Sequence, residues 1–305
     1  MTMRLLGSLF ARLPYRWLMA FGAFLGAFLW HLRIRRRVVL ENLRLAFPEK
    51  TEDERRAIAR ANYRHLGQMI PEFLRVPALP PEELEGIFVL EGWDRLEAAQ
   101  ARGKGVIAAT GHFGNFEVLA AAMTRRGVPI TMISRPMGKS GANDAWREAR
   151  QRSGVEDLVV RRGETLKAAT RSLKAGRFLG YVIDQNQPGR RAIFPTFFGV
   201  PAATAPTPAL LAMRTGAAVI FAVSVPLGDG RHRVVIEGPL DLPDTGDRER
   251  DVLAFMQDLN DRLERWVRLH PERWYWLHRR WKRRHEGAGR RAPPPANLTG
   301  ADPAG

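Results

Sequence analysis

His112 and Glu117 are the two residues of this chain whose types and spacing best suit catalysis. They lie in the heptad GHFGNFE at 111–117, directly after the apolar run VIAAT at 106–110. A neutral imidazole that is oriented by a carboxylate can act as a general base and take the proton of a hydroxyl group. The pair therefore predicts activation of a hydroxyl nucleophile at the point where a buried strand gives way to a helix.

The spacing of five residues is not sufficient by itself, because a second pair, His232 and Glu237, has the same spacing. The segment 231–237 has the pattern of a strand, and in a strand positions five apart point to opposite faces. We therefore predict that His232 and Glu237 do not meet and that this pair is ordinary strand surface.

The local turn distinguishes the first pair. Within one helix, five residues rotate a side chain about 140° away from its partner, so His112 must lie in the turn before the helix. Gly111 and Gly114 would permit a sharp turn and a close approach by substrate. Asn115 would cap the helix, whose free N–H groups favour an anion or a developing oxyanion. Gly114 and Asn115 are thus predicted substrate-binding residues; the alternative is a buried histidine satisfied by a local carboxylate.

Composition limits the other possibilities. The chain has 305 residues, 45% of them hydrophobic, and no cysteine, which excludes disulfides, thiolate metal sites and thiol nucleophiles. No metal-binding cluster is visible in the sequence, and we predict neither a metal nor a cofactor. The formal net charge of +16 predicts anionic partners, namely membrane lipid, nucleic acid or an acidic carrier protein.

An uncharged segment of 14 residues, WLMAFGAFLGAFLW at 17–30, lies near the N-terminus. As a helix it would span about 21 Å, against about 30 Å for a hydrocarbon core, and extension to 13–32 provides the missing length. Tryptophans near both ends favour a membrane anchor. The excess of arginine after the segment predicts a cytoplasmic protein body. The segment is not predicted to be a cleaved signal peptide, because no small-residue cleavage site follows it. A buried core helix is the remaining alternative.

The rest of the chain alternates between helical and strand patterns, which predicts one α/β domain. The residues 287–305 are rich in Gly, Pro and Ala and are predicted to be disordered. The predicted organisation is therefore an anchor at 13–32, a domain at 33–285 and a tail at 286–305. Predicted helices include 38–47, 52–74 and 253–269, and predicted strands are 88–91, 106–110, 130–134, 177–184, 217–225 and 232–237.

Several motifs together resemble the late acyltransferases of lipid A biosynthesis, within the wider lysophospholipid acyltransferase-like superfamily. The heptad is similar to their HX4E signature, and the resemblance covers about residues 15 to 285. The other matching motifs are ENL at 41–43, FP at 47–48, DQ at 184–185, FFGVPA at 197–202 with Thr204, Ala212 with TGA at 215–217, and PERWYWLHRRWK at 271–282.

The resemblance implies a single acyltransferase-type domain with a central mixed sheet flanked by helices. It implies a bacterial inner-membrane enzyme that faces the cytoplasm and transfers a fatty acyl chain, usually from acyl carrier protein, to a hydroxyl of an acylated sugar lipid. His112 would be the general base and Glu117 its orienting partner. Arg135 matches an arginine that binds acceptor phosphate, and a guanidinium suits that task. Asp184 and Gln185 would bind sugar hydroxyls or shape the site.

Alternatives remain open at this point. The C-terminal residues Trp274, His278 and Trp281 would share one face of a helix, either at an anionic membrane surface or with the tryptophans in the core. Within the enzyme class, the acceptor could be another glycolipid or a lysophospholipid. A membrane-tethered nucleic-acid-binding protein would also be basic, but no nucleic-acid module is recognisable, so no nucleic-acid partner is predicted. A hydrolase would be expected to carry a G-x-S-x-G elbow, which the chain lacks.

Overall fold

A seven-stranded mixed sheet forms the centre of the molecule, and the structure, a computed structural model, describes residues 3–134, 141–160 and 164–282. The helices are α1 (Met3–Arg12), α2 (Tyr15–His31), α3 (Arg36–Ala46), α4 (Glu52–Arg75), α5 (Pro81–Gly86), α6 (Trp93–Ala101), α7 (Phe116–Arg125), α8 (Gly141–Arg152), α9 (Thr165–Lys174), α10 (Thr207–Thr215) and α11 (Arg248–Leu269). The strands are β1 (Phe88–Glu91), β2 (Val106–Thr110), β3 (Ile130–Ser134), β4 (Glu156–Val159), β5 (Phe178–Val182), β6 (Thr196–Phe197), β7 (Val200–Pro201), β8 (Ala218–Pro226) and β9 (His232–Leu240).

The strand order is β1-β9-β8-β2-β5-β3-β4, and β6 and β7 form a separate small hairpin. All neighbouring pairs of the large sheet are parallel except β8 and β9, which are antiparallel. The carboxyl ends of β2, β5, β3 and β4 therefore meet at one edge, which is where open α/β sheets commonly bind ligands. The predicted α/β class with a central mixed sheet is confirmed.

Both faces of the sheet are buried. In β2, Ile107 and Ala109 belong to one hydrophobic core, while Val106 and Ala108 contact a second core on the other face. This explains why the strand is a continuous apolar run without a polar alternation. The helices α10 and α11 contribute to the first core, and α6 and α7 to the second.

The N-terminal helices pack onto the domain. The helix α2 has 17 residues, begins after Pro14 and crosses α4 where glycines of both helices meet. A Cβ on Gly26 would lie 1.9 Å from the Tyr63 carbonyl oxygen, and a Cβ on Gly67 would lie 2.1 Å from that of Gly22. The two helices can approach this closely only because glycine has no side chain. The glycines of α2 thus serve a contact within the chain.

Among the described residues, no individual helix has both the length and the hydrophobicity needed to cross a bilayer. The helices α2 and α3 satisfy the length and composition criteria only as a pair, and the chain bends by 95° between them. The expected helix over 13–32 is therefore shorter, is broken at Pro14 and is followed by a bend. The membrane anchor stays a prediction.

The C-terminal segment departs from the sequence-based expectation. After a short 3-10 helix over Pro271–Arg273, the chain continues as turns, so its three tryptophans do not lie on one helix. They are buried, at 1% (Trp274), 0% (Trp276) and 4% (Trp281) exposure. Trp274 and Trp281 pack against Phe197, and Trp276 packs against Phe198. The reading that places the tryptophans in the core is confirmed. The predicted tail at 286–305 lies outside the described residues.

Candidate active site

His112 lies in the turn between β2 and α7, at the sheet edge where the parallel strands end. Its backbone is fixed on both sides: the N–H donates to Oδ2 of Asp184 at 2.8 Å, and the carbonyl accepts from the N–H of Tyr275 at 2.9 Å. About a fifth of the side chain, 21%, is exposed. An imidazole that is held firmly but still open to solvent is accessible to a substrate hydroxyl.

Asp184, not Glu117, holds the imidazole. Its Oδ1 lies 2.7 Å from Nδ1 of His112, and its Oδ2 also accepts from Nε1 of Trp274 at 2.7 Å. The reason lies in the sheet: β2 and β5 are parallel neighbours in which Thr110 pairs with Val182, so the residue two places after each strand lies at the same level. Of the two roles expected for Asp184, binding of sugar hydroxyls or shaping of the site, the geometry favours the second, because this carboxylate is 3% exposed and its oxygens accept from His112 and Trp274.

The electrostatics suit a general base. Burial acts to raise the pKa of Asp184, but the charge of His112 and the hydrogen bonds from His112 and Trp274 prevail and lower it to about 2. Burial acts to lower the pKa of His112, but the neighbouring Asp184 carboxylate leaves it raised above its ordinary value. Since an ionised carboxylate only accepts hydrogen bonds, Nδ1 keeps its proton in both states of the ring, and Nε2 carries the lone pair when the ring is neutral. The Nε2 atom is therefore the one that can accept a proton.

Glu117 turns to the other side of α7. Its carboxylate accepts from Nε1 of Trp146 at 2.8 Å and from Nε of Arg150 at 2.8 Å, and a second guanidinium nitrogen of Arg150 completes a bidentate pair. Glu117 is 1% exposed. The expected contact with His112 is thus replaced by one with α8, since Glu117 is the second residue of α7 and faces that helix. Its charge still helps to raise the pKa of His112.

We predict that Glu117→Gln acts mainly on stability. Loss of the carboxylate leaves the buried guanidinium of Arg150 with Asp157 as its remaining carboxylate, at 3.8 Å, and breaking a buried ion pair costs about 3–5 kcal/mol. Urea unfolding should therefore show a free energy of unfolding lower by about that amount. The matched control is Glu148→Gln on the exposed side of α8, expected to change stability by about 0.5 kcal/mol or less. Equal stabilities of the two variants would contradict this role.

Gly114 and Asn115, the predicted substrate-binding residues of the turn, face the protein interior. Gly114 has a φ of +57°, and a Cβ there would lie 1.7 Å from the carbonyl oxygen of Ser224 in β8. Asn115 is fully buried, and its Oδ1 accepts from the N–H of Val118 at 3.4 Å, which confirms the expected helix cap. The geometry assigns both residues to the shape of the turn rather than to contact with substrate.

Two further residues, Arg135 and Gln185, were predicted to bind substrate. Arg135 follows β3 directly but lies outside the described residues. Gln185 is exposed next to Asp184, and its backbone carbonyl accepts from Arg280 at 3.3 Å. Its exposed side chain is compatible with the predicted contact with substrate, which stays a prediction.

Sequence reasoning missed the C-terminal residues of the site. The ring of Tyr275 lies 5.8 Å from that of His112, and Nε2 of His278 accepts the backbone N–H of Asn186 at 2.8 Å. Two asparagines hold this segment: Asn42 donates to the carbonyls of Trp276 and His278, and Asn62 to those of Glu272 and Trp274. The motifs around Asn42 and Trp274 were visible in the sequence, but no local signal joins residues more than 200 positions apart.

Arg280 is a further buried charge beside the site. It is fully buried and donates to the Ala203 carbonyl at 2.8 Å and to Oγ1 of Thr204 at 2.6 Å. Burial lowers its pKa to about 10, while the Asp184 carboxylate opposes that shift, so the guanidinium stays charged at neutral pH. Arg280 thereby ties the end of the described chain to the segment after β7.

For the second pair, His232 and Glu237, the prediction that the two side chains do not meet is confirmed. Glu237 pairs with Arg262 and Arg265 of α11, so it does not meet His232. His232, however, is 1% exposed and lies 3.0 Å from Glu72, so the prediction of ordinary strand surface is wrong for it. Across the described residues, no group of three or more His, Cys, Asp or Glu is arranged to hold a metal ion.

Comparison with known proteins gives one family. A family model described as "Bacterial lipid A biosynthesis acyltransferase" matches residues 4–283. The Escherichia coli lipid A biosynthesis lauroyltransferase is 28% identical over 283 residues, which cover 92% of this chain and 90% of that protein. The E. coli palmitoleoyltransferase of the same process is 27% identical, with 92% and 89% covered. A phosphatidylinositol mannoside acyltransferase of Mycobacterium tuberculosis is 26% identical, with 72% and 69% covered.

Proposed function

Because the chain belongs to the bacterial lipid A biosynthesis acyltransferase family, we propose that it transfers a fatty acyl chain from an acyl carrier thioester to a hydroxyl of a lipid A precursor. That it is an acyltransferase follows from the family and from relatives with this activity in their names. The donor, the acceptor and the catalytic residues are the proposed part.

The His112–Asp184 pair is the observation that carries the mechanism. Nε2 of His112 takes the proton of the acceptor hydroxyl while the oxygen attacks the thioester carbonyl carbon. The C–O bond of the new ester forms, the C–S bond breaks, and the leaving thiolate takes the proton back from the imidazolium. Asp184 stabilises that imidazolium and holds the ring with Nε2 toward the substrate, as the carboxylate of a catalytic triad does.

We propose acyl carrier protein as the donor's carrier. The formal net charge of +16 attracts an acidic protein and would mainly raise the rate of encounter. The thioester itself needs no cofactor in this mechanism, because His112 activates the acceptor rather than the donor.

The proposed acceptor is an anionic glycolipid. Arg135 is the residue assigned to its phosphate, since the chain reaches Arg135 directly after β3, whose end lies at the same sheet edge as the ends of β2 and β5. A guanidinium can bind phosphate through two hydrogen bonds. Gln185 is the exposed polar side chain next to Asp184 and is assigned to the acceptor as well.

We propose that the protein lies at the cytoplasmic face of the bacterial inner membrane. Contact with lipid is supported by an apolar surface on α1 and α2 whose residues have exposures of 47% or more. Large exposed apolar patches of this kind favour contact with lipid. The residues are Leu5, Leu9, Trp17, Phe21, Phe24 and Phe28.

A second candidate acceptor is another glycolipid, or a lysophospholipid. The relative named as a phosphatidylinositol mannoside acyltransferase supports the glycolipid, since it is 26% identical to this chain. In that case the same base and the same step would act on a different hydroxyl.

A direct assay distinguishes the candidates. Purified protein is incubated with acyl carrier protein or coenzyme A thioesters as donors, and with a lipid A precursor, a phosphatidylinositol mannoside or a lysophospholipid in vesicles as acceptors. We expect the fastest transfer from the acyl carrier protein thioester to the lipid A precursor. Transfer confined to the mannoside or the lysophospholipid would establish the second candidate, and no transfer to any of these acceptors would contradict the proposed function.

A further inference from the structure

A buried carboxylate that the proposed mechanism does not use lies behind the His112 turn. Glu72 of α4 is 6% exposed and has three polar partners. Its Oε1 accepts from the Tyr15 hydroxyl at 2.6 Å and lies 3.0 Å from Nε2 of His232, and its Oε2 accepts from Nδ2 of Asn115 at 2.8 Å. Burial acts to raise the pKa of Glu72, but these partners lower it to about 2. Glu72 is therefore ionised at neutral pH.

The partners of Glu72 belong to different elements. Tyr15 is the first residue of α2, Asn115 caps α7, and His232 is the first residue of β9. A single carboxylate thus joins the N-terminal helix to the turn that carries His112. An isolated buried charge would be costly, and these contacts offset that cost.

Ser224, His232 and Glu72 also have the connectivity of a hydrolase triad, with Oγ of Ser224 3.1 Å from Nδ1 of His232. Ser224 is 0% exposed and lies within β8, which is buried along nearly its whole length. No substrate can reach a nucleophile in that position, so the three residues hold structure rather than react.

The contact with Asn115 reaches the catalytic turn directly. Both donor positions of the Asn115 amide are used, one on Glu72 and one on the Met69 carbonyl at 3.3 Å, while Oδ1 caps α7. The helix α4 also contacts the turn through His65, whose Nε2 lies 3.4 Å from the Gly114 carbonyl. Asp184 thus holds His112, and α4 holds Gly114 and Asn115 of the same turn.

The contact with Tyr15 reaches the apolar surface. The helix α2 presents Trp17, Phe21, Phe24 and Phe28 outward, while its glycines lie against α4. A lipid surface that binds those side chains holds α2 in one position. The hydrogen bond from the Tyr15 hydroxyl to Glu72, 2.6 Å long, depends on this position, because it forms only when α2 is packed on α4.

We propose that Tyr15, Glu72 and Asn115 form a positioning relay through which the seating of α2 on a lipid surface sets the geometry of the His112 turn. The relay rests on the proposed function, since it acts on the same base and the same membrane contact. Glu72 touches no substrate and acts through Asn115. A ligand can shift an equilibrium only through its different affinity for two states, and here the states are α2 seated and α2 displaced.

The test compares Tyr15→Phe and Glu72→Gln with the wild type. The kcat for acyl transfer is measured with the lipid A precursor in phosphatidylglycerol vesicles and in detergent micelles, and vesicle binding is measured by sedimentation. We expect a vesicle-to-micelle ratio of kcat well above one for the wild type and close to one for Tyr15→Phe, with equal vesicle binding. Glu72→Gln should lower kcat about 100-fold with little change in KM, because small displacements of a catalytic group have effects of that size.

The matched control is Tyr63→Phe. The Tyr63 hydroxyl also joins α4 to the N-terminal segment, through the Ile34 carbonyl, but it has no contact with Glu72. This variant should keep the wild-type ratio. If Tyr15 has a purely structural role, Tyr15→Phe should lower the melting temperature and leave the vesicle-to-micelle ratio of kcat unchanged, and that outcome overturns the relay. A kcat for Glu72→Gln within twofold of the wild type would also overturn it.

A measurement without catalysis separates the relay from the proposed function. Amide hydrogen exchange over 111–118 should slow when phosphatidylglycerol vesicles bind the wild type, and should not change for Tyr15→Phe. If the wild type transfers no acyl chain but shows this difference, the proposed reaction fails and the relay stands. Equal exchange in the two proteins overturns the relay whatever the activity.

Discussion

Replacing His112 by alanine is expected to lower kcat for acyl transfer by about 10²–10⁴-fold, the usual contribution of a general base. Proton removal from the acceptor hydroxyl depends on Nε2, and the Asp184 carboxylate cannot replace it because it is only 3% exposed. The vesicle-bound fraction should not change, since His112 is not one of the residues of the exposed apolar surface on α1 and α2.

The control for His112→Ala is His31→Ala. His31 is an exposed histidine at the end of α2, where Nδ1 lies 2.7 Å from the Ala27 carbonyl. Its loss removes one imidazole from the same protein and should leave kcat within about twofold, as surface substitutions usually do. Near-wild-type activity of a folded His112→Ala protein, shown by an unchanged circular dichroism spectrum, would rule out the proposed base.

Asp184→Asn is the second large effect that we expect, with a loss of up to about 10⁴-fold in kcat, as for the equivalent change in a serine protease triad. The oxygen Oδ2 receives two donors, from His112 N and Trp274 Nε1, and Oδ1 receives one, from His112 Nδ1. The single oxygen of an asparagine will occupy the position with two donors. Its NH₂ group then faces Nδ1 and stabilises the tautomer in which Nε2 is protonated and cannot act as a base.

The pH profile distinguishes this change from a general loss of structure. In the wild type, the Asp184 carboxylate raises the pKa of His112 above 6.5, so kcat/KM should rise with pH through that higher value as the imidazole loses its proton. Asp184→Asn removes the negative charge, which lowers the pKa of His112. The acidic limb of the profile should therefore move to lower pH.

Glu117→Gln provides the comparison for Asp184→Asn. The charge of Glu117 also raises the pKa of His112, but its effect is smaller than that of Asp184 and involves no hydrogen bond. We therefore expect a smaller shift of the acidic limb in the same direction and a far smaller loss of kcat. If Glu117→Gln reduces kcat as much as Asp184→Asn does, the assignment of Asp184 as the orienting carboxylate is wrong.

The local patterns predicted the strands well. The apolar runs at 88–91, 106–110 and 130–134 are strands with those bounds, because each is short, apolar and limited by polar or turn residues. The strand at 156–159 was missed, since its four residues, EDLV, are two charged residues followed by two apolar ones and form neither an apolar run nor an alternation. The predicted strand at 177–184 ends at 182, which frees Asp184 to turn toward His112.

The carboxylate of the site could not be identified from spacing. His112 and Glu117 are close in the chain, so a local argument pairs them, whereas the residue that holds the imidazole is 72 positions away. Which strand lies next to β2 decides the matter, and the strand that follows it in the chain, β3, is not its neighbour. Strand order depends on the packing of the whole sheet and leaves no signal in a heptad.

The sequence by itself determined the α/β class, the position of His112 in a turn after a buried strand, and the cap at Asn115, because these depend on residues within a few positions of one another. Only the tertiary structure decided that Asp184 orients the imidazole, that Glu117 holds α8, and that the glycines of α2 pack on α4. Each of these contacts joins elements that are distant in the chain, and the sheet order and helix packing that bring them together result from the burial of all the apolar faces at once.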